Sequence, residues 1–221
     1  AISGSDGVEI VLNQGTITGD VYLEAGNDRL NTGGGIIGGI VDLGNGNDTF
    51  TGGFATDVVF GGDGADRIVA GAGADVVNGG DGADVLSGKA GSDMLFGGAG
   101  NDTLLGARNS DTLDGGPGAD FMNAGMDADI FVYDDLTDIG MGAGADTIRS
   151  FQSELDVIDL ADFVPGSLAF VGFGPFGGAP AVGLRASGID TRVQIDSDGD
   201  GAPDHEILIE DAVPVAGDFL L

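Results

Sequence analysis

The chain has no cysteine, no tryptophan, one histidine and seven lysine and arginine residues in 221. Without cysteine there is neither a disulfide framework nor a thiolate metal site. A single histidine, His205, cannot supply a His-Glu-x-x-His zinc motif, which excludes a metalloprotease centre from this chain. No Gly-x-Ser-x-Gly elbow occurs, and no residue is assigned a catalytic role. The basic residues Arg29, Arg67, Lys89, Arg108, Arg149, Arg185 and Arg192 are dispersed, which argues against an anion site. No apolar run reaches the roughly 18 residues of a membrane-spanning helix. The chain begins at Ala1 rather than Met, so an upstream domain of the same polypeptide is expected.

What is abundant is acid and glycine. Thirty-seven Asp and Glu residues give a net charge of −30, and there are 45 glycines. So acidic a surface repels nucleic acid and anionic membranes. High charge with so much glycine ordinarily means disorder. Here the apolar 42% is phased rather than scattered, and a counter-cation reconciles the two.

From Asp48 to Asp129 an Asp stands at every ninth position: Asp48, Asp57, Asp66, Asp75, Asp84, Asp93, Asp102, Asp111, Asp120 and Asp129. Two residues after each comes an apolar side chain, from Phe50 and Val59 through Met122 and Phe131. A Gly-rich turn precedes each Asp, as in Gly79-Gly80-Asp81-Gly82-Ala83-Asp84. So strict a period is the signature of a solenoid. Residues 1–51 repeat more loosely: the run from Ile17 to Leu30 recurs, 20 residues later, from Ile37 to Phe50. Two nine-residue units make a coil of nearly that length, so one full coil holds two short strands and two turns. The ladder then splits into two columns, Asp48, Asp66, Asp84, Asp102 and Asp120 on one side, the other five opposite. Asp6 and Asp28 are expected to extend the first column only. Residues 133–221, with a hairpin expected across 191–210 and a strand-containing cover over 166–183, read as a cap on the open end of the roll. The segments are thus 1–51, N-terminal coils; 52–132, the regular roll; and 133–221, the cap.

Strands stack about 4.8 Å apart, so each Asp meets another at roughly 5 Å. Two like charges so placed cost on the order of 1 kcal/mol in water and several times that at an effective dielectric of about 20. A cation is needed. Calcium takes six to eight oxygens from carboxylates and carbonyls together. Zinc is disfavoured without Cys and His, and magnesium holds its waters too tightly.

These units resemble the RTX nonapeptide, Gly-Gly-x-Gly-x-Asp-x-apolar-x, whose calcium-binding reading is established in general. The resemblance implies an all-β, right-handed parallel β-roll with several Ca2+ ions between adjacent turns. The ligands it implies are the Asp carboxylates and the carbonyls four and two residues before them. On this chain those are Gly62 and Gly64 with Asp66, Gly71 and Gly73 with Asp75, and Gly80 and Gly82 with Asp84. Gly98 and Gly100 go with Asp102, and Gly116 and Gly118 with Asp120. The units at Asp48 (Gly44, Gly46), Asp57 (Gly53), Asp93 (Gly91), Asp111 and Asp129 match less fully. Ala55, Lys89, Ala107, Asn109 and Asp127 stand there in glycine positions, and weaker sites are expected. Asp28 is a further candidate.

Beyond the ladder, Asp146-Thr147-Ile148, Phe151 and Asp156-Val157-Ile158-Asp159-Leu160 resemble the segment closing the roll in serralysin-type exoproteins. That resemblance adds Asp146 and Asp156 as ligands, with Ser150 where relatives often carry an acid. The last residues, Asp218-Phe219-Leu220-Leu221, resemble the end of type I secretion substrates. A second acidic run holds Asp196, Asp198, Asp200 and Asp204 at EF-hand-like spacing. Ile207 takes the place of the bidentate Glu, so a calcium loop within a hairpin and a plain Asp/Gly turn both remain open.

The expected function is a calcium-binding module, free of catalysis, that folds on binding extracellular Ca2+. It would support type I secretion of a larger Gram-negative bacterial exoprotein through the secretion apparatus. A secreted or cell-surface location follows. The alternatives are an adhesin, surface-layer or polysaccharide-contacting module, or the non-catalytic part of a secreted enzyme.

Overall fold

The computed structural model describes residues 1–161 and 168–221. The chain winds as an all-β solenoid with two long faces, a ten-stranded and a twelve-stranded sheet, joined strand by strand at the turns. Along the regular roll consecutive strands alternate between the faces, so each pairs in parallel with the strand one coil away. In the regular stretch Val77 pairs with Val59 and Leu95, and Ile68 with Phe50 and Leu86, an 18-residue register.

The residues two after each Asp turn inward because strand side chains alternate. Leu30, Phe50, Ile68, Leu86, Leu104, Met122 and Ile148 form a fully buried ladder on one face; Val59, Val77, Leu95, Leu113, Phe131 and Ile158 form it on the other. Burying each such side chain contributes about 1.5–3 kcal/mol, which offsets the backbone entropy lost in a glycine-rich chain.

The N-terminal coils are wider. Ile2 pairs with Val21 and Ile10 with Arg29, and the next coil sets Val21 on Val41 and Arg29 on Thr49. Where the second Gly-rich turn would be, a third small sheet forms from Thr16–Ile17 and Ile36–Ile37. The absence of the motif near Gly19-Asp20 and Gly38-Gly39 has this physical meaning: the wider coil carries a third wall there.

At the other end Asp146–Arg149 and Val157–Asp159 add one strand to each face. His205–Ile209 lies parallel on Asp146–Arg149. It then pairs antiparallel with Asp190–Asp196, which pairs with Ala181–Ser187. Phe219–Leu220 covers Val157–Asp159. The 191–210 hairpin is therefore present, enlarged by a third antiparallel strand. The 166–183 cover contributes Ala169–Gly172 as an edge strand; its first two residues lie outside the described residues. Among the described residues the only helical pieces are 3₁₀ turns at Leu136–Asp138, Gly142–Gly144 and Ala216–Asp218.

Candidate metal centre

Each turn delivers its Asp to the inside of the solenoid edge. In the first column Asp28, Asp48, Asp66, Asp84 and Asp102 each donate their backbone N–H to Oδ1 of the Asp one coil on, at 2.6–2.7 Å. Asp120 does the same to Asp146 at 2.8 Å. In the second column the chain of bonds runs from Asp57 through Asp75, Asp93, Asp111 and Asp129 to Asp156, at 2.8–3.1 Å. The two columns expected from the nine-residue period are thus continuous ladders. Each reaches one step into the cap.

The second carboxylate oxygen is the informative one. Oδ2 of Asp28, Asp48, Asp57, Asp66, Asp75, Asp84, Asp93, Asp102, Asp111, Asp120, Asp129 and Asp146 is buried and has no hydrogen-bond partner. Buried acceptors left in that state are rare in proteins and call for an ion or water. Burial, more than neighbouring charge, pushes these carboxyls up: Asp48, Asp57, Asp66 and Asp102 to about 6, Asp111, Asp120 and Asp129 to about 7, and Asp146 to about 8. Without a cation these groups favour the protonated form. An oxygen-seeking divalent ion removes the conflict by taking up the orphaned oxygens, and calcium fits this donor set.

The glycines act in two ways. Gly62, Gly71, Gly80, Gly98 and Gly116 have positive φ, as do Gly64, Gly73, Gly82 and Gly100 two residues on. Gly44, Gly46 and Gly91 share that conformation; Gly53 and Gly118 do not require it. At four of the five replaced glycine positions the left-handed backbone is kept, Lys89 at φ 79°, Ala107 at 92°, Asn109 at 72° and Asp127 at 81°, whereas Ala55 does not adopt it. That conformation costs roughly 1–2 kcal/mol for a residue with a Cβ, less for Asn and Asp.

The second role belongs to residues the sequence reading passed over. The first glycine of each pair, five residues before the Asp, is buried and not strained. A Cβ on Gly61, Gly79, Gly88, Gly97, Gly106 or Gly115 would intrude on Oδ2 of Asp66, Asp84, Asp93, Asp102, Asp111 or Asp120. These glycines keep open the space beside the orphaned oxygen. Ala70 and Ala124 hold that place before Asp75 and Asp129. The recurrence of the Gly-Gly pair was the available signal; only the fold shows that its first member is there for volume. Asn27, Asn47 and Asn101, each just before its Asp, accept a backbone N–H from the next turn and tie the turns together.

The ends of the columns required correction. Asp6 does not extend the first column. Glu9 does: its N–H donates to Asp28 Oδ1 at 2.7 Å, and its buried Oε2 has no partner. The unit is Gly4-Ser5-Asp6-Gly7-Val8-Glu9, a degenerate copy with Glu in the Asp place. At the other end Asp156 differs from the ladder because its Oδ2 already accepts the Gln152 N–H at 2.7 Å.

The acidic hairpin loop brings carboxylate oxygens of Asp196, Asp198 and Asp204 within 4.8 Å of one another and leaves Asp200 outside. Both oxygens of Asp196 accept loop N–H groups, from Gly199 and Gly201. Asp198 and Asp200 cap the backbone two residues on. Asp204 Oδ2 accepts both Ser197 N–H and Oγ–H, which hold its carboxyl below the ordinary value. Loop donors thus occupy both oxygens of Asp196 and one oxygen each of Asp198, Asp200 and Asp204, as in a tight Asp/Gly turn.

Comparison with known proteins bears on the same residues. The model of the RTX calcium-binding nonapeptide repeat, four copies, matches residues 21–36, 42–77, 60–95, 78–113, 96–131 and 105–138. Among solved structures, the solution structure of the AlgE6R3 subunit from the Azotobacter vinelandii mannuronan C5-epimerase is similar at 24% identity. That match covers 76% of this chain and 78% of that one, with a TM-score of 0.38. No curated protein matches significantly.

Proposed function

The chain belongs to the family of RTX calcium-binding nonapeptide repeats, and from that premise we propose that it is a calcium-gated folding module of a secreted bacterial protein. Its repeats bind Ca2+; the ligands are read as the two Asp columns with the turn carbonyls assigned above. The observation that carries the reading is the double row of buried carboxylates, each with an oxygen that no protein group satisfies.

The mechanism follows from charge. At low calcium the columns repel and the chain, at −30, favours extended states suited to passage through the type I secretion apparatus. Extracellular modules of this kind bind calcium at roughly 10⁻⁴–10⁻³ M. Calcium outside the cell then drives folding by mass action, because the ions bind the folded state alone. Residues 1–51 lengthen the roll, 52–132 hold most of the ions, and 133–221 cap it and carry the export signal. Catalysis, if the whole polypeptide has any, resides outside this chain.

Circular dichroism during a calcium titration of chelated protein tests this. The expected result is a cooperative gain of strand signal between micromolar and millimolar calcium. Full strand signal in excess chelator at neutral pH would overturn it.

A further inference from the structure

The two columns do not end alike. In the first, Asp146 keeps a buried Oδ2 without a partner. In the second, both oxygens of Asp156 are taken, Oδ1 by the Asp129 N–H at 3.1 Å and Oδ2 by the Gln152 N–H at 2.7 Å. Asp156 ends the turn that lies over the turn of Asp129, since Val157 pairs with Ile130. Counting back from Asp156, Gln152 and Glu154 stand where the regular turns have their two ligand glycines. Glu154 keeps the left-handed backbone, at φ 70°. The Gln152 carbonyl, a ligand by the family's spacing, is bonded within the turn instead. It accepts the Leu155 N–H at 3.0 Å and the Asp156 N–H at 2.9 Å.

The Gln152 side chain reaches back to the coil beneath. Its Nε2 donates to the Gly125 carbonyl at 3.1 Å and to the Asp127 carbonyl at 3.2 Å. Gly125 and Asp127 lie four and two residues before Asp129, so theirs are the carbonyls that the family's spacing gives to an ion at the last regular turn. A primary amide suits this place, because it brings two N–H donors and no charge. Calcium asks for six to eight oxygens at 2.3–2.6 Å. Between these two turns the Asp156 carboxylate and the carbonyls of Gly125, Asp127 and Gln152 already accept N–H groups of the protein. The donor set therefore does not fit a metal here as it does along the ladder.

We propose that the Gln152 side-chain amide takes the place of the calcium ion between the last two turns of the second column, so that the cap is joined to the roll on that edge without a metal. Asp156, expected from the sequence to be a ligand, is a hydrogen-bond acceptor instead. The same turn is tied onward to the end of the chain, since the Glu154 N–H donates to Asp218 at 2.7 Å. This rests on the calcium reading of the repeats.

Counting bound metal on the whole chain tests this. Calcium-saturated protein is dialysed and its ions are counted in the parent and in single variants, with strand signal recorded to confirm folding. Asp84→Asn, inside the ladder, should lower the count by about one ion, whereas Asp156→Asn should leave it unchanged. Gln152→Glu sets a carboxylate against two carbonyls, an oxygen set that calcium accepts, and should raise the count by about one ion. A loss in Asp156→Asn equal to that in Asp84→Asn overturns the proposal, and so does the absence of a gain in Gln152→Glu. The second result alone decides if an Asp variant does not fold. A parent that takes up no calcium overturns the calcium reading itself, and this inference falls with it.

Discussion

At the scale of single residues, the site depends on atoms that are missing as much as on those present. Gly97 shows this: a methyl group there would lie 2.6 Å from Asp102 Oδ2 and also press on the Gly115 carbonyl. Gly97→Ala should therefore lower the stability of the calcium-loaded protein by about 1–3 kcal/mol, the ordinary cost of overpacking. Ala70 and Ala124, tolerated in the same place, set the expectation toward the lower end. Thermal melts in saturating calcium provide the measurement, and an unchanged midpoint would remove the volume argument. The Asp columns were legible because nothing but a solenoid explains ten carboxylates at one spacing. The role of Gly97 was not, since a glycine kept for φ and a glycine kept for space look alike in a sequence. Glu9 was hidden for another reason. Asp6 is the expected residue type and lies nearby, and only the Ile10–Arg29 pairing places Glu9 over Asp28.

At the scale of elements, the cap is held by one buried carboxylate that no repeat rule identifies. Asp218, 1% exposed, accepts the Glu154 N–H at 2.7 Å, the Ser153 hydroxyl at 2.7 Å and the Val215 N–H at 2.8 Å. It joins the final strand, Phe219–Leu220, to the turn that closes the second column. Phe219 also packs against Phe170, ring centroids 5.3 Å apart. Asp218→Ala leaves three part-buried donors without their acceptor, each at up to about 1–3 kcal/mol. The expected outcome is a calcium-loaded protein destabilised by about 3 kcal/mol and more readily trimmed by protease at its C-terminal end. Equal protease resistance of variant and parent would count against a docking role. The sequence marked these last residues only through their resemblance to an export signal. Their structural duty depends on contacts with residues 153 and 154, far back along the chain.

At the scale of the whole molecule, proton and calcium compete for the same oxygens. From Asp48 to Asp156 the column carboxyls have folded pKa values above their ordinary 3.8, most strongly Asp146, at about 8. Such a group contributes stability to the calcium-free fold that is fully present below the unfolded value. That stability is lost as pH rises through the folded values, about 6 to 8 here. Protein in chelator should therefore gain strand signal as pH falls from about 8 to about 5. Calcium reverses the sign, since the ion requires the ionised carboxylate. The calcium concentration that half-loads the folded protein should therefore rise as pH falls through about 8 to 6. Circular dichroism in chelator at a series of pH values reads the first effect, and calcium uptake by the folded protein reads the second. A chelated signal that stays flat across the range would show that burial of the columns does not govern the fold.

The equivalence of the two regular turns has a consequence for how such a chain can change length. Every unit from Asp57 to Asp129 offers an Asp and an apolar residue at the same spacing, whichever edge it occupies. An in-frame gain or loss of one unit therefore moves everything downstream to the opposite edge, yet each Asp still meets an Asp. The cap is simply carried half a revolution around the axis relative to the first coils. Those first coils, with their third wall, admit no such half-step and can be added or lost only whole. Odd or even repeat number thus sets which side of the rod the two ends share, a geometric variable open to slippage in the gene without any change in the ion-binding unit.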